Sequence, residues 1–310
     1  MKIVIAGSSG LIGSALVRVL RSEGDGQTHQ VLRLVRRAAA ADDEISWDPS
    51  AGRPPDAADL AGVDAAINLA GAGLGDHRWT DDYKRQIVES RISSTALLSK
   101  SLAELEPRPR VLLSGSAIGY YGDTGDNTVD ESAPAGTDFL ADVAARWEAA
   151  TAVAANAGIR TVLLRTGIVL STKGGALGKV LPMFKAGVGG RLGSGKQYLS
   201  WIARPDYTSA VRFLLDAEGI DGADAISGAV NMTAPNPVTN REYTKALADA
   251  VHRPALFPAP TPALRIAIGE FARSVVGGQR VVPKRLLDAG FEFAYPEVGP
   301  ALRALIDANA

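Results

Sequence analysis

Gly7, Gly10 and Gly13 recur every third residue between an apolar run and a stretch with helical periodicity. Glycines at this spacing let a backbone turn tightly, approach a diphosphate closely and pack a helix against a strand. The helix that follows would present unpaired N–H groups and a partial positive charge. Ser9, Gly10, Leu11, Ile12 and Gly13 therefore form a candidate phosphate cradle. The plainer alternative is a structural turn. The strand-like run ahead and the helix behind supply the context that a dinucleotide loop requires.

The second apolar run, QVLRLV, ends in Arg36 and Arg37 rather than in an acid. An acidic side chain at that place would bond the ribose 2′-hydroxyl of NAD, whereas a guanidinium suits a 2′-phosphate through charge-assisted paired bonds. NADP is the expected cofactor, with two solvated surface arginines as the alternative.

These residues need elements to hold them. Apolar runs at 2–6, 30–35, 65–70, 110–115 and 160–170 alternate with helical patterns at about 11–22, 81–104 and 137–156. Such alternation predicts an α/β chain, a Rossmann-type doubly wound parallel sheet covered on both faces, with a smaller C-terminal substrate lobe. Residues 1–170 plus about 203–216 are assigned to the NADP-binding domain, with a segment near 205–216 returning to the sheet. Residues of about 171–202 and 217–310 form the lobe, where glycine and proline become frequent and a connector at 254–262 precedes a helix at about 263–275.

Composition narrows the chemistry further. The chain has 310 residues, a formal net charge of −1 and no cysteine, which excludes disulfides, thiolate catalysis and cysteine-based zinc sites. Its three histidines are scattered, so no metal site is expected. Balanced charge without a basic stripe argues against nucleic acid. No apolar run approaches the ~20 residues of a membrane span, and no leader pattern precedes the first strand, so a cytoplasmic location is expected.

GSSGLIG, INLAG (67–71), LLSGSAIGYYG (112–122) and LRTGIVL (164–170) resemble the extended short-chain dehydrogenase/reductases. Three longer segments, at 78–95, 170–202 and 278–296, are similar to an atypical subgroup of this class. Those are uncharacterised epimerase family proteins with a C-terminal domain of unknown function. The resemblance implies that residues 68–71, including Leu69, Ala70 and Gly71, lie against the adenosine and its ribose. It also implies that Gly167, Ile168 and Val169 pass beside the nicotinamide. Ser114 joins the cofactor set, Ser116 takes the substrate-bonding role at the end of the fourth strand, and Lys196, Gln197, Tyr198 and Trp201 fall where substrate is held. A glycine-rich lid with inward aromatics is the alternative for the last group.

Members of that class transfer protons with a Tyr-x-x-x-Lys pair. Here Phe139 or Leu140 stands at the tyrosine position and Val143 or Ala144 at the lysine position, so neither a proton donor nor a cation is supplied. Tyr120 and Tyr121 are the candidate substitutes, with packing as the alternative. His77 is a weaker candidate base. Lys84, Arg85 and Arg91 share a helix, and either form a solvated face or reach an anionic substrate or the cofactor. Two functions stay open: an NADP(H)-dependent oxidoreductase or epimerase-like enzyme acting on an unidentified small molecule, and a non-catalytic NADP(H)-binding sensor or scaffold. Oligomeric state also stays open, with a homodimer among the alternatives because many members of the wider class dimerise.

Overall fold

A computed structural model describes residues 1–22, 29–216 and 225–308. Strands β1 (Lys2–Ala6), β2 (Gln30–Val35), β3 (Glu44–Ser46), β4 (Ala65–Asn68), β5 (Val111–Ala117), β7 (Arg160–Thr166) and β11 (Gly228–Met232) build one seven-stranded sheet. Their order is β11-β7-β5-β4-β1-β2-β3, and every neighbouring pair is parallel. This is the Rossmann-type doubly wound sheet. The chain direction across it reverses between β1 and β4, which opens a crevice at the carboxyl ends of those strands.

The unbroken apolar runs follow from burial on both faces. Ile3 and Ile5 pack with Leu16 and Leu20 of α1 (Leu11–Arg21) and with Tyr207, Val211 and Leu214 of α6 (Arg204–Asp216). Val4 and Ala6 face the other way, toward Leu98 and Leu102 of α2 (Asp81–Ala103) and Ala154 of α4 (Ala152–Asn156). A leucine buried in this way contributes roughly 2 kcal/mol. The helix expected over 137–156 is two: α3 (Phe139–Ala149), which starts where Asp138 accepts the Ala141 N–H, and the short α4.

Two strands of the seven-stranded sheet were not foreseen. β3 lies in the connection expected to be a loop, since three residues carry too little periodicity to read. The segment near 205–216 is helix α6, packed on the sheet rather than joined to it, and the strand that enters the sheet is β11. Part of the expected lobe, residues 217–224, lies outside the described residues.

β7 ends at Thr166, and after Gly167 the chain leaves the main sheet as β8 (Ile168–Leu170), which pairs in parallel with β10 (Trp201–Ala203). β9 (Tyr198–Leu199) pairs antiparallel with β12 (Val238–Thr239). Helices α5 (Gly175–Lys185), α7 (Asn240–Ala250) and α11 (Val298–Asp307) enclose a second core of Leu177, Phe184, Trp201, Leu247 and Leu302. β6 (Thr128–Val129) pairs with β13 (Arg280–Val281), which brings the C-terminal region onto the loop after β5, where Val281 touches Ile118 and Tyr121. The remaining helices are α8 (Thr261–Ile268), α9 (Ala272–Val276) and α10 (Lys284–Asp288). Among the described residues no helix is long and apolar enough to cross a membrane.

Candidate functional site

The glycine loop joins β1 to α1 across the crevice. Gly7 adopts a φ of +78°, and a Cβ there would stand 2.6 Å from the carbonyl carbon of Leu69. A Cβ on Gly13 would stand 2.2 Å from the carbonyl oxygen of Gly7, so helix and loop touch backbone to backbone. Gly10 is the N-cap of α1. No side chain caps that helix, and its first turn contains no acid. Ser9 and Gly10 are exposed, and Leu11 and Ile12 are half-buried beside them. Exposed amides at an uncapped, acid-free helix start fit a dinucleotide diphosphate.

At the end of β2 the two arginines part company. Arg37 donates to both oxygens of Glu44, each at 2.7 Å, and Glu44 also accepts the Ala40 N–H. Arg36 is exposed and, among the described residues, bonds no side chain.

The turn after β4 is braced from below. Buried Asn68 donates to the Thr95 hydroxyl at 2.8 Å and accepts the Ala70 N–H at 3.1 Å, while Thr95 also accepts the Trp147 indole N–H at 2.9 Å. This fixes Leu69, Ala70 and Gly71 opposite the glycine loop. Gly71 lies against the side chain of Arg91, which reaches across from α2.

At the end of β5, Ser116 and Arg165 of β7 are register partners. The Ser116 hydroxyl donates to Glu148 Oε1 at 2.6 Å. Arg165 grips the same carboxylate, with Nε on Oε1 at 2.8 Å and Nη2 on Oε2 at 3.0 Å. Its third nitrogen donates to the Tyr121 hydroxyl at 3.0 Å, which in turn donates to Asn231 Oδ1 at 2.7 Å. The guanidinium also lies 3.5 Å from the Tyr120 ring centroid. Burial alone would lower the Arg165 pKa, but its bonds to Glu148 and Tyr121 and the Glu148 charge carry it above its ordinary value. A buried ion pair better withstands desolvation when its geometry is two-pronged and further hydrogen bonds join it, as the Tyr121 contact does here.

This arrangement reassigns the two tyrosines. Tyr121 is buried and spends its single proton on Asn231, and burial raises its pKa, so it is a bracing element rather than a proton donor to ligand. The Tyr120 ring is half-buried as a platform for Arg165, and its hydroxyl bonds nothing among the described residues. The expected Tyr and Lys positions are apolar in space as well. Phe139 packs on Trp79 with centroids 5.3 Å apart, Leu140 abuts Gly119, and Val143 and Ala144 are buried. Lys84 lies 5.6 Å from the Phe139 ring centroid and pairs with Glu270 at 2.5 Å, while Arg85 turns to Asp82. His77 is exposed, edge-on to Tyr83.

The rest of the expected set divides. A Cβ on Gly167 would stand 2.5 Å from the Ser200 carbonyl oxygen, so β7 passes its neighbours at close quarters there, with Ile168 half-buried and Val169 buried just beyond. Ser114 is fully enclosed in the sheet, level with Asn68, its hydroxyl unpartnered; it does not line the crevice. Lys196 is exposed. Gln197 donates to the Leu192 carbonyl, and Tyr198 is half-buried 4.6 Å below the Arg280 guanidinium. Trp201 is 1% exposed and donates to the Asn236 carbonyl at 3.1 Å, so its ring belongs to the lobe core and offers no stacking face.

Sequence reasoning missed the roles of Glu148, Arg165 and Asn231. Signals existed for the first two, an arginine in the middle of the apolar run RTVLLRTGIVL and a glutamate beside the buried Trp147 on α3, and none for Asn231. Among the described residues no group of acidic or histidine side chains could hold a metal ion.

An epimerase family protein of Mycobacterium bovis is 45% identical over 302 residues, covering 97% of this chain and 96% of that protein. The human epimerase family protein SDR39U1 is 31% identical over 310 residues, covering 99% and 100%. The crystal structure of human SDR39U1 (isoform 2) with NADPH superposes with a TM-score of 0.88 at 30% identity, covering 99% of each chain. A nucleoside-diphosphate sugar epimerase from Corynebacterium glutamicum superposes with a TM-score of 0.78 at 35% identity, covering 98% of this chain and 58% of that one. Residues 259–305 match a domain of unknown function, DUF1731. With residues 3–226 matching its family description, the chain belongs to the NAD dependent epimerase/dehydratase family, in the branch that carries this C-terminal domain.

Proposed function

We propose that this chain is an NADP(H)-dependent enzyme of the oxidoreductase or epimerase type acting on a small molecule. The observation that carries the cofactor choice is the contrast at the end of β2: Arg37 is neutralised by Glu44, and Arg36 stands free beside the crevice. The NADPH in the human relative's structure supports it. Gly7, Gly10, Gly13 and the α1 amides would hold the diphosphate, Leu69–Gly71 the adenosine side, and Arg36 the 2′-phosphate. The nicotinamide, when bound, gives or takes a hydride.

The chain's own residues set what Ser116 can do. Glu148, locked by Arg165, is a carboxylate and only accepts. Ser116, itself buried, therefore donates to it and keeps only lone pairs, which can accept an O–H or N–H from a ligand that reaches it. This favours holding an alcohol or amine over polarising a carbonyl. The test of the cofactor is titration with NADPH and with NADH, followed by tryptophan fluorescence. NADPH should bind at least tenfold tighter, about 1.4 kcal/mol; equal affinities would reject the NADP assignment.

The apolar face at Phe139, Leu140, Val143 and Ala144 favours a second reading, a non-catalytic NADP(H)-binding sensor. Such a protein would bind NADPH and NADP with different affinities yet consume neither with any panel of alcohols, amines or carbonyls. Turnover with any member of the panel excludes it.

A further inference from the structure

We propose that Arg91 is a recognition site for an anionic oxygen group, phosphoryl or carboxylate, of a ligand lying between the turn after β4 and the end of β5. Arg91 is half-buried on α2. Its stem lies on Gly71, where a Cβ would stand 3.2 Å from Arg91 Cγ and 3.4 Å from Cζ. Its guanidinium is 5.1 Å from the Trp147 ring centroid. Trp147 in turn abuts Gly115, the residue before Ser116: a Cβ on Gly115 would stand 2.8 Å from Trp147 Cζ2. The cation thus stands against the dinucleotide turn, with the Trp147 ring between it and the strand that carries the serine.

What sets Arg91 apart is its lack of an anion. Among the described residues it makes no ion pair. One nitrogen, Nη1, donates to the Ile87 carbonyl at 3.0 Å, and the other two donate to no protein group yet are not sealed from solvent. Compare Arg165, whose three nitrogens all have partners. Burial lowers the Arg91 pKa to about 10, opposed only by the field of Tyr83. A desolvated cation without a partner is costly, and the cost is offset when a ligand brings the missing charge in a two-pronged contact.

Two ligands could deliver that group, the dinucleotide through its diphosphate or a second molecule through a phosphate or carboxylate of its own. The first source rests on the dinucleotide reading; the second does not. Arg91→Met keeps the stem's packing and removes the charge, and Arg91→Lys keeps the charge without the fork. The measurements are fluorescence titration with NADPH and thermal unfolding with inorganic pyrophosphate, and with inorganic phosphate added to NADPH-saturated protein.

If the diphosphate is the ligand, Arg91→Met weakens NADPH at least tenfold, Arg91→Lys less, and adenosine 2′-phosphate binds all three proteins within twofold. If a second molecule is the source, NADPH affinity is unchanged, and stabilisation of the NADPH-saturated protein by phosphate disappears in Arg91→Met. Should the wild type bind no dinucleotide, the pyrophosphate arm still decides: stabilisation of the wild type that Arg91→Met lacks upholds the site. Ligand-free Arg91→Met should unfold at the same or a higher temperature, because an uncompensated charge has gone. If the variants match the wild type with every probe, or if Arg91→Met and Arg91→Lys are both destabilised without ligand, Arg91 is structural and the proposal fails.

Discussion

Ser116 and Arg165, register partners on adjacent parallel strands, donate to one and the same oxygen of Glu148, at 2.6 and 2.8 Å. The Glu148 carboxylate accepts from both, and the serine's single proton is spent on it. The serine is oriented more tightly than by a lone contact, because the carboxylate it donates to is itself fixed by the two-pronged grip of Arg165. Ser116→Ala should therefore lower turnover by about a hundredfold while leaving NADPH affinity within twofold. Steady-state kinetics alongside fluorescence titration read both quantities. Unchanged turnover would remove Ser116 from the reaction.

Removing one half of the buried pair leaves the other charge stranded. Glu148→Ala is expected to cost about 3–5 kcal/mol of stability, measured by urea unfolding. The double variant Glu148→Leu/Arg165→Met should lose less than either single change, since no uncompensated charge remains. Additive losses would mean that the pair is not coupled as its geometry implies.

The arginines at the end of β2 separate by charge reversal. Arg36→Glu should reduce the NADPH-to-NADH affinity ratio at least tenfold, about 1.4 kcal/mol, with unfolding little changed. Arg37→Glu would set two carboxylates against each other at Glu44, so it should lower the urea midpoint and leave the ratio alone. The opposite pattern would transfer the phosphate contact to Arg37.

The three glycines of the loop are not equivalent. A methyl on Gly13 would meet backbone atoms of Gly7 and Ser8 at 2.2 and 2.8 Å, and backbone cannot rotate aside. A methyl on Gly10 meets only the Gly7 carbonyl oxygen, at 3.4 Å. Gly13→Ala should destabilise the fold by about 1–3 kcal/mol or more in thermal or urea unfolding. Gly10→Ala should keep the wild-type midpoint and lose dinucleotide affinity, because its methyl would stand in the cradle.

Asp43 and Glu44 predict the acid limb of stability. The bonds of Arg33 and Arg21 hold the Asp43 carboxyl well below the usual carboxylate range, and those of Arg37 and the Ala40 N–H bring Glu44 down to about 2. A carboxyl lowered on folding contributes stability that is complete above its ordinary pKa of about 4 and is lost as pH falls toward the folded value. The urea midpoint should fall between about pH 5 and pH 2, and fall less in Asp43→Asn and Glu44→Gln than in the wild type. Equal slopes would show that these pairs are solvated in solution.

The family was legible in the sequence because its signals are local. Alternating apolar runs mark strands buried on two faces, a glycine every third residue marks a loop that must touch its neighbours, and the apolar residues at 139–144 announce the missing proton donor. Turn chemistry and periodicity act over a few residues, so a linear reading captures them. What Glu148, Arg165, Tyr121 and Asn231 do is of another kind. Tyr121 and Asn231 are 110 positions apart, and Ser116 meets Glu148 across 32. Their pairing depends on the register of β5 against β7 and on the angle at which α3 crosses them. The same holds for the choice between Arg36 and Arg37, decided by a glutamate on a strand too short to read, and for Trp201, whose ring the lobe encloses. The sequence by itself determined which elements form and where a dinucleotide loop stands. Tertiary structure alone decided which charges are spent on one another and which remain free for a ligand, because only packing sets which side chains share a low-dielectric interior.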